Sequence, residues 1–483
     1  MNIKVYQQGL KFLFINAVKK LYKGEVFFQN SLDHGIQAEI QSEINITERE
    51  VEEIKKEMNR MISANLPIHK RIVSKKDAYD FYKKRGLEEK AQNVLRISNI
   101  SVSLFELEGE YNYFYCHDMP ESTGELKEYD LYYAKPNQII ITYPTNGEMN
   151  FKFRKNIFEN YEEMRRWSSM VGIDYVADLN DLIAKGKMDE FIRKNDLLID
   201  VMYYVACQKV IGSKKKIVLL AGPSSSGKTT SSKKIVDALE SLGYHARSLT
   251  LDDYFLEKEE TPLLPNGKKD FESLRALDLD LFNDHINKLL AGEEVTVPTY
   301  NFVSGIKEYP NPPIKMRENE ILVIEGLHAI NPDLFKTDMS EEVFKIYISP
   351  FSPLKLDRHN YISSTDNRLI RRIARDFRTR GRSAEQSLLS WQSVREGEEQ
   401  HIFPFTDNVD YILNTSSVYE IGVLKVMVEP LLYDVPMDSE AYDEARRLLD
   451  SLRTFYPISS EYVSRSSVLR EFIGGSIYDK EVS

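Results

Sequence analysis

Apolar positions recur at two different periods along the chain, and the change of period divides it. Leu10, Leu13, Phe14, Ala17, Val18 and Leu21 lie at helical spacing and stop before Gly24, which predicts an amphipathic helix ended by a glycine. Thr47 followed by Glu50 is a capping-box pair, and Val51, Ile54, Met58, Met61 and Ile62 then mark the buried stripe of a second helix. Ser74 opens a third, ending near Gly86. From Val94 to about Pro144 the helical period gives way to short β-prone runs separated by Gly, Asn and Pro, so residues 1–150 predict an α+β domain. Residues 151–213 return to helical spacing, with Phe158, Tyr161, Met164 and Trp167 on one face, and predict a helical connector. From Lys214 to the end, short apolar runs ("IVLLA", "ARSLTL", "ILVIE", "FKIYIS", "YILN") alternate with helical stretches. That alternation predicts a parallel α/β sheet in a domain of residues 214–483 with a C-terminal extension.

A chain of 483 residues is too long for one ordinary core, which agrees with more than one domain. Lys and Arg number 64 against 75 Asp and Glu, a net charge of -11. Bulk attraction to nucleic acid or an anionic membrane is thereby disfavoured, and any anion site must be local. Cys116 and Cys207 are the two cysteines, which gives neither a disulfide framework nor a paired-cysteine metal motif and points to a reducing, cytoplasmic setting. The N-terminal stretch is interrupted by Gln7, Gln8, Lys11 and Asn16, so it predicts neither a signal core nor a membrane span.

The local anion site is written in "AGPSSSGKTT". Gly222, Gly227, Lys228 and Thr229 fit G-x-x-x-x-G-K-[ST] between a predicted strand and a predicted helix, with Pro223, Ser224, Ser225, Ser226 and Thr230 completing the loop. Glycines let successive N–H groups curl towards phosphate oxygens, Lys228 adds a mobile positive charge and Thr229 offers an oxygen to magnesium. ATP or GTP with Mg2+ is the expected ligand.

The acceptor side is read from three further stretches. "ARSLTLDDYF" ends a strand in Asp252 and Asp253, at the sheet edge where open α/β folds bind ligands; a carboxylate there can accept a proton from an acceptor hydroxyl, support magnesium or form a turn. Glu325 closes another strand and can act on magnesium directly or through water, whereas His328 reads as structural. In "NRLIRRIARDFRTRGRS", Arg368, Arg371, Arg372 and Arg375 line one helix face, and Arg378, Arg380 and Arg382 continue around Gly381. Such a cluster in an acidic chain predicts a lid over phosphates, with a solvated or RNA-binding face as the alternative.

In order and separation, "GPSSSGKTT", "LDDYF", "DFESLRALD", "VPTYNF", "LVIEG" and "RRIARDFRTRGRS" resemble the uridine/cytidine kinase and phosphoribulokinase family over about residues 215–430. The resemblance implies a P-loop kinase fold and an ATP:nucleoside phosphotransferase, with Asp252 as general base and Lys228, Arg375 and Arg380 beside it in catalysis. It further implies Glu272, Tyr300, Arg372 and Arg382 on substrate, and Thr229 and Glu325 at magnesium. Gly305 stands where the family carries a base-reading histidine, so the acceptor is a nucleoside or, alternatively, a phosphorylated sugar or other small alcohol. The first domain resembles the second additional domain of threonyl-tRNA synthetase, through "GLKFLFINAVKKLYKG", "EIKKEMNRMISANLPIHKRIVSKKDAYDFYKKRG" and "CHDMPESTGELKEYDLYYAKP". That domain's first-helix histidines would fall near Gln8 and Phe12, and Cys116 and His117 do not match its later ligands, so no zinc site is expected. The combined architecture is similar to bacterial uridine kinase-related nucleoside kinases, and a homo-oligomer is expected by that likeness. A nucleotide-gated regulatory protein, contacting RNA through the first domain, is the alternative from another functional class.

Overall fold

The computed structural model describes residues 2–32, 35–96, 100–114, 118–145, 147–263, 267, 269–302 and 304–479. Contacts divide the chain into two compact units, each assembled from separated stretches: Met1–Met188 with Ser352–Asn367 and Ile421–Ile458, and Asp189–Phe351 with Arg368–Glu420 and Ser459–Ser483.

The second unit is built on five strands, β1 (Ile217–Ala221), β2 (His245–Thr250), β3 (Glu320–Glu325), β4 (Val343–Ser349) and β5 (Tyr411–Asn414). Their order is β5-β4-β1-β3-β2, and every neighbouring pair is parallel. These are the five apolar runs that the alternation pattern picks out, and β1 and β3 are buried along their whole length, as strands covered on both faces must be. The chain leaves β1 for β2 on one side of it and later places β4 on the other. A crevice therefore opens at the carboxyl end of β1, where the "AGPSSSGKTT" loop begins. Two helices flank this point in the sequence logic of the site: a loop helix, Lys228–Ser241, and an arginine helix, Ser364–Arg380.

The first unit carries a four-stranded antiparallel sheet in the order Glu25–Leu32, Gly35–Gln41, Gln138–Thr142, Asp130–Lys135, and a three-stranded one of His69–Ser74, Ser101–Leu107 and Glu110–Asn112. Its first helix, Ile3–Tyr22, buries Leu10, Leu13, Phe14, Ala17 and Val18 in a core shared with Val51, Ile54, Met58 and Met61 of Glu48–Ser63. Two helix starts follow the cap chemistry: at Glu48–Ser63, Glu50 accepts from Thr47 N at 2.9 Å, and at Lys75–Lys84, Ser74 Oγ accepts from Asp77 N at 3.1 Å. Phe12 is buried in this core with its ring edge on Phe114, while Cys116 and His117 lie outside the described residues.

Two strands, Glu25–Leu32 and Gly35–Gln41, were not signalled by the apolar pattern. Their buried positions include Gln29, Asn30 and Gln37, so hydrophobicity does not alternate along them. Gln37 spends its amide on Gln138 Oε1 at 2.8 Å and Glu162 Oε1 at 3.0 Å, which makes its burial tolerable. Residues 151–213 form the helices Lys155–Met170, Val176–Ala184 and Met188–Ser213. Among the described residues no helix is long and apolar enough to cross a membrane.

Candidate active site at the phosphate loop

The loop after β1 is shaped by positions that tolerate no side chain or demand unusual backbone. A Cβ on Gly222 would lie 2.6 Å from Ile348 O, and Gly227 caps the loop helix with φ at +90°, a conformation that glycine adopts without strain. Ser225 also has positive φ, at +60°. Its hydroxyl and that of Ser226 are buried with no partner among the described residues, an arrangement that phosphate oxygens would satisfy. The Lys228 ammonium folds back onto Gly222 O at 2.9 Å, within reach of anything seated in the loop.

The arginine helix does two jobs, and this corrects the expectation of a single guanidinium-lined lid. Arg368 and Arg371 are buried and grip the loop from inside the fold. Arg368 donates to Ser224 O at 3.1 Å and pairs with Glu398. Arg371 pairs with Glu420 at 2.6 Å and donates to Ser225 O and Ser226 O at 3.4 Å each. Their charges are neutralised by buried carboxylates, so they rigidify the loop and hold no charge in reserve for a ligand.

Further along the helix, Arg372, Arg375 and Arg380 gather around one buried carboxylate. Asp376, fully buried, lies 2.8 Å from Arg375, 3.4 Å from Arg372 and 3.6 Å from Arg380. Arg382 joins through its backbone N–H to Asp376 O at 3.2 Å. Three guanidiniums against one carboxylate, with Arg382 as a further cation acting on Arg372, leave an excess of positive charge. Burial, together with the cations Arg375, Arg380 and Arg382, pushes Arg372 down to about 10 despite Asp376. An arriving phosphate would relieve that repulsion, and Arg372 already donates to Ser224 Oγ of the loop at 3.1 Å.

Opposite these cations stand the carboxylates. Asp252 and Asp253 are adjacent in sequence but differ in employment. Asp253 Oδ1 accepts from Tyr300 N at 3.1 Å, fixing the hairpin Thr299–Asn301/Ile306–Glu308. Asp252 is exposed, and its carboxylate makes no hydrogen bond or ion pair among the described residues. The surrounding protein raises its carboxyl above the usual range, opposed by the charges of Lys228 and Arg380. Glu325, at the end of β3, accepts from Thr229 Oγ1 at 3.2 Å. Burial first, and then the negative charge of Asp252, push it up to about 7. Glu272 is raised too, by burial and by Glu398, with Arg372, Lys228 and Asp252 among its electrostatic neighbours. The structure thus brings together every residue singled out in the loop, Asp252, Glu272, Glu325 and Arg372, Arg375, Arg380 and Arg382.

Tyr300 sits in an aromatic group, its ring centroid 5.6 Å from Phe255 and 5.0 Å from Phe302, with Phe271 5.8 Å from Phe255. Gly305 has φ at +75°, and a Cβ there would come 2.6 Å from Lys258 Cβ, so a histidine at this position would be strained whatever it read. His328 is buried, sharing its Nε2 with Glu272 O at 2.9 Å, and burial pushes it down to about 4. It is a positioning residue for the Glu272 segment. Sequence reasoning missed Asp376, Glu398 and the phenylalanines; the one available signal for Asp376 was a lone acid inside an arginine run.

Magnesium is implied by the loop chemistry, and the donors fit it. A hydroxyl and a buried carboxylate 3.2 Å apart, with the carboxyl raised by burial and by a second nearby carboxylate, make a place where a divalent cation would be favourable. Among the described residues no three acids, histidines or thiols form a cage sufficient by themselves, and magnesium ordinarily completes its shell with water and substrate phosphates.

Residues 217–421 match the model of the phosphoribulokinase / uridine kinase family. This segment is a domain of that family. It is 28% identical over 202 residues to a uridine kinase of Anoxybacillus flavithermus, covering 41% of this chain and 86% of the relative. A uridine kinase of Halobacterium salinarum is 27% identical over 196 residues, 40% of this chain and 77% of the relative. Among solved structures, one described as a possible uridine kinase from Bacillus stearothermophilus covers 44% of this chain and 97% of its own, at 14% identity and a TM-score of 0.31. The family domain is an ATP-dependent phosphotransferase acting on small molecules.

Proposed function

We propose that the chain transfers the γ-phosphoryl group of ATP to the 5'-hydroxyl of a nucleoside. The observation that carries this reading is Asp252: a carboxylate with no hydrogen bond or ion pair among the described residues, raised by its surroundings, and opposed to Lys228 and Arg380 at the carboxyl edge of the sheet. A general base needs a free lone pair and a proton affinity closer to neutrality than an ordinary aspartate has. In the reaction the acceptor O–H gives its proton to Asp252 as the oxygen bonds to phosphorus and the bond from phosphorus to the ADP oxygen breaks. Lys228, Arg375 and Arg380 stabilise the charge spread over the transferring group, and Arg372 and Arg382 hold the phosphates and acceptor hydroxyls. Thr229, and Glu325 directly or through water, would hold magnesium, which would supply charge neutralisation at the phosphates. Glu272 accepts hydrogen bonds from sugar hydroxyls, and Tyr300 with its neighbouring phenylalanines offers aromatic surface to a base. Discrimination between bases rests on side chains other than an imidazole, because Gly305 cannot carry one without strain.

The test is ATP consumption against a panel of nucleosides and sugar phosphates, with the product identified by mass and Lys228→Ala as the blank. A nucleoside 5'-monophosphate is expected. A phosphorylated sugar phosphate would overturn the nucleoside assignment while leaving the kinase, and no product despite bound ATP would overturn both.

A further inference from the structure

The C-terminal stretch Ser459–Asp479 belongs to the second unit, and no part of the catalytic reading employs it. It lies on the phosphate loop. Val468 fills the space that a Cβ on Gly227 would need, and Phe472, fully buried, lies under the Arg371 guanidinium at 4.9 Å from its ring centre. Glu471 then reaches the loop helix itself: its Oε2 accepts from Thr230 N at 3.2 Å and from Thr230 Oγ1 at 2.9 Å.

Thr230 is the third residue of that helix, so its N–H has no partner within the helix and is one of the donors the loop motif presents to phosphate. A carboxylate occupies it here. We propose that the C-terminal stretch is an autoinhibitory cap, in which Glu471 stands in for a phosphate at Thr230 and must leave before a nucleotide can be fully seated. The inference rests on the nucleotide reading of the loop and adds regulation to it.

The charges support displacement over coexistence. Glu471 adds a negative charge to a centre already holding Asp252 and Glu325, and it contributes to the elevation of Glu325. A triphosphate entering that centre repels Glu471 and offers Thr230 a better acceptor. Besides the buried packing of Val468 and Phe472, three polar ties would have to yield with it. Arg378 donates to Glu471 O at 2.8 Å, Lys233 to Tyr478 O at 2.7 Å, and the Tyr478 hydroxyl to Asp237 at 2.6 Å. Coupling is reciprocal, so whatever holds the cap weakens nucleotide binding, and whatever loosens it strengthens nucleotide binding.

Two measurements on the full chain test the cap together. Calorimetric ATP titration of Glu471→Gln, which keeps the shape and an acceptor for Thr230 but removes the charge, is expected to give about tenfold tighter binding than the unaltered protein. Hydrogen exchange of the unaltered protein is expected to show residues 468–474 losing protection when ATP saturates. ATP bound no tighter by Glu471→Gln, or a cap that stays equally protected in saturating ATP, overturns the proposal while leaving the kinase reading intact. No ATP binding by either protein, matching Lys228→Ala, overturns the nucleotide reading and the cap with it.

Discussion

Replacing Glu325 with glutamine should make the ligand-free protein more stable and less active, because the group that serves magnesium is held at a cost to the fold. Glu325 is 6% exposed, at the end of β3, with Asp252 as its negative neighbour. Its carboxyl titrates at about 7 instead of the ordinary 4.5. Between those two pH values the folded chain retains a proton that the unfolded chain has released, so stability falls as pH rises through that window and is flat on either side. The gap corresponds to about 3 kcal/mol, an upper value because Asp252 shares the proton affinity of the site. Glu325→Gln removes the titration, so the variant should match the parent near pH 4 and exceed it by up to about 3 kcal/mol near pH 8. Urea unfolding in a Trp167→Phe background, where Trp391 reports on the second unit, measures both values. Turnover at limiting magnesium should fall in the same variant. An unchanged slope of stability against pH, or a variant less stable at pH 8, would refute the argument that burial and Asp252 set this carboxyl.

Gly305→Ala places a side chain at φ +75° and 2.6 Å from Lys258 Cβ, so it should cost about 1–3 kcal/mol and raise the acceptor KM through the hairpin that carries Tyr300; thermal unfolding and initial rates check both. Asp376→Asn leaves Arg372, Arg375 and Arg380 facing one another without their buried counter-charge, and a loss of about 3–5 kcal/mol is expected, partly restored by added sulfate. Loss without any rescue by an anion would argue that the cluster is not an anion site.

The sequence carried the α/β half of the molecule well because its five strands are short, apolar and bounded by turns, and the glycine spacing of the phosphate loop is tied to backbone geometry. Residues 25–41 were illegible as strands because Gln29, Asn30 and Gln37 are buried there, and Gln37 is paired with Gln138, about a hundred residues away. At the site, spacing placed Arg368, Arg371, Arg372 and Arg375 on one helix face but could not say which would be neutralised. That depends on Glu398 and Glu420, contributed by later elements. Asp252 and Asp253 are adjacent in the sequence, and it is the structure that separates them: Asp253 accepts from the Tyr300 N–H, and Asp252 faces Lys228 and Arg380. Glu471 lies some 240 positions beyond the loop it touches and belongs to no motif.

The division of labour between those two aspartates is tested most directly by the turnover and ATP affinity of Asp252→Asn beside Asp253→Asn. Asp252→Asn should lose turnover by about a hundred- to ten-thousand-fold with ATP affinity kept, while Asp253→Asn mainly shifts the acceptor KM. Near-normal turnover in Asp252→Asn would contradict the assignment of the base and, with it, the proposed chemistry of the site.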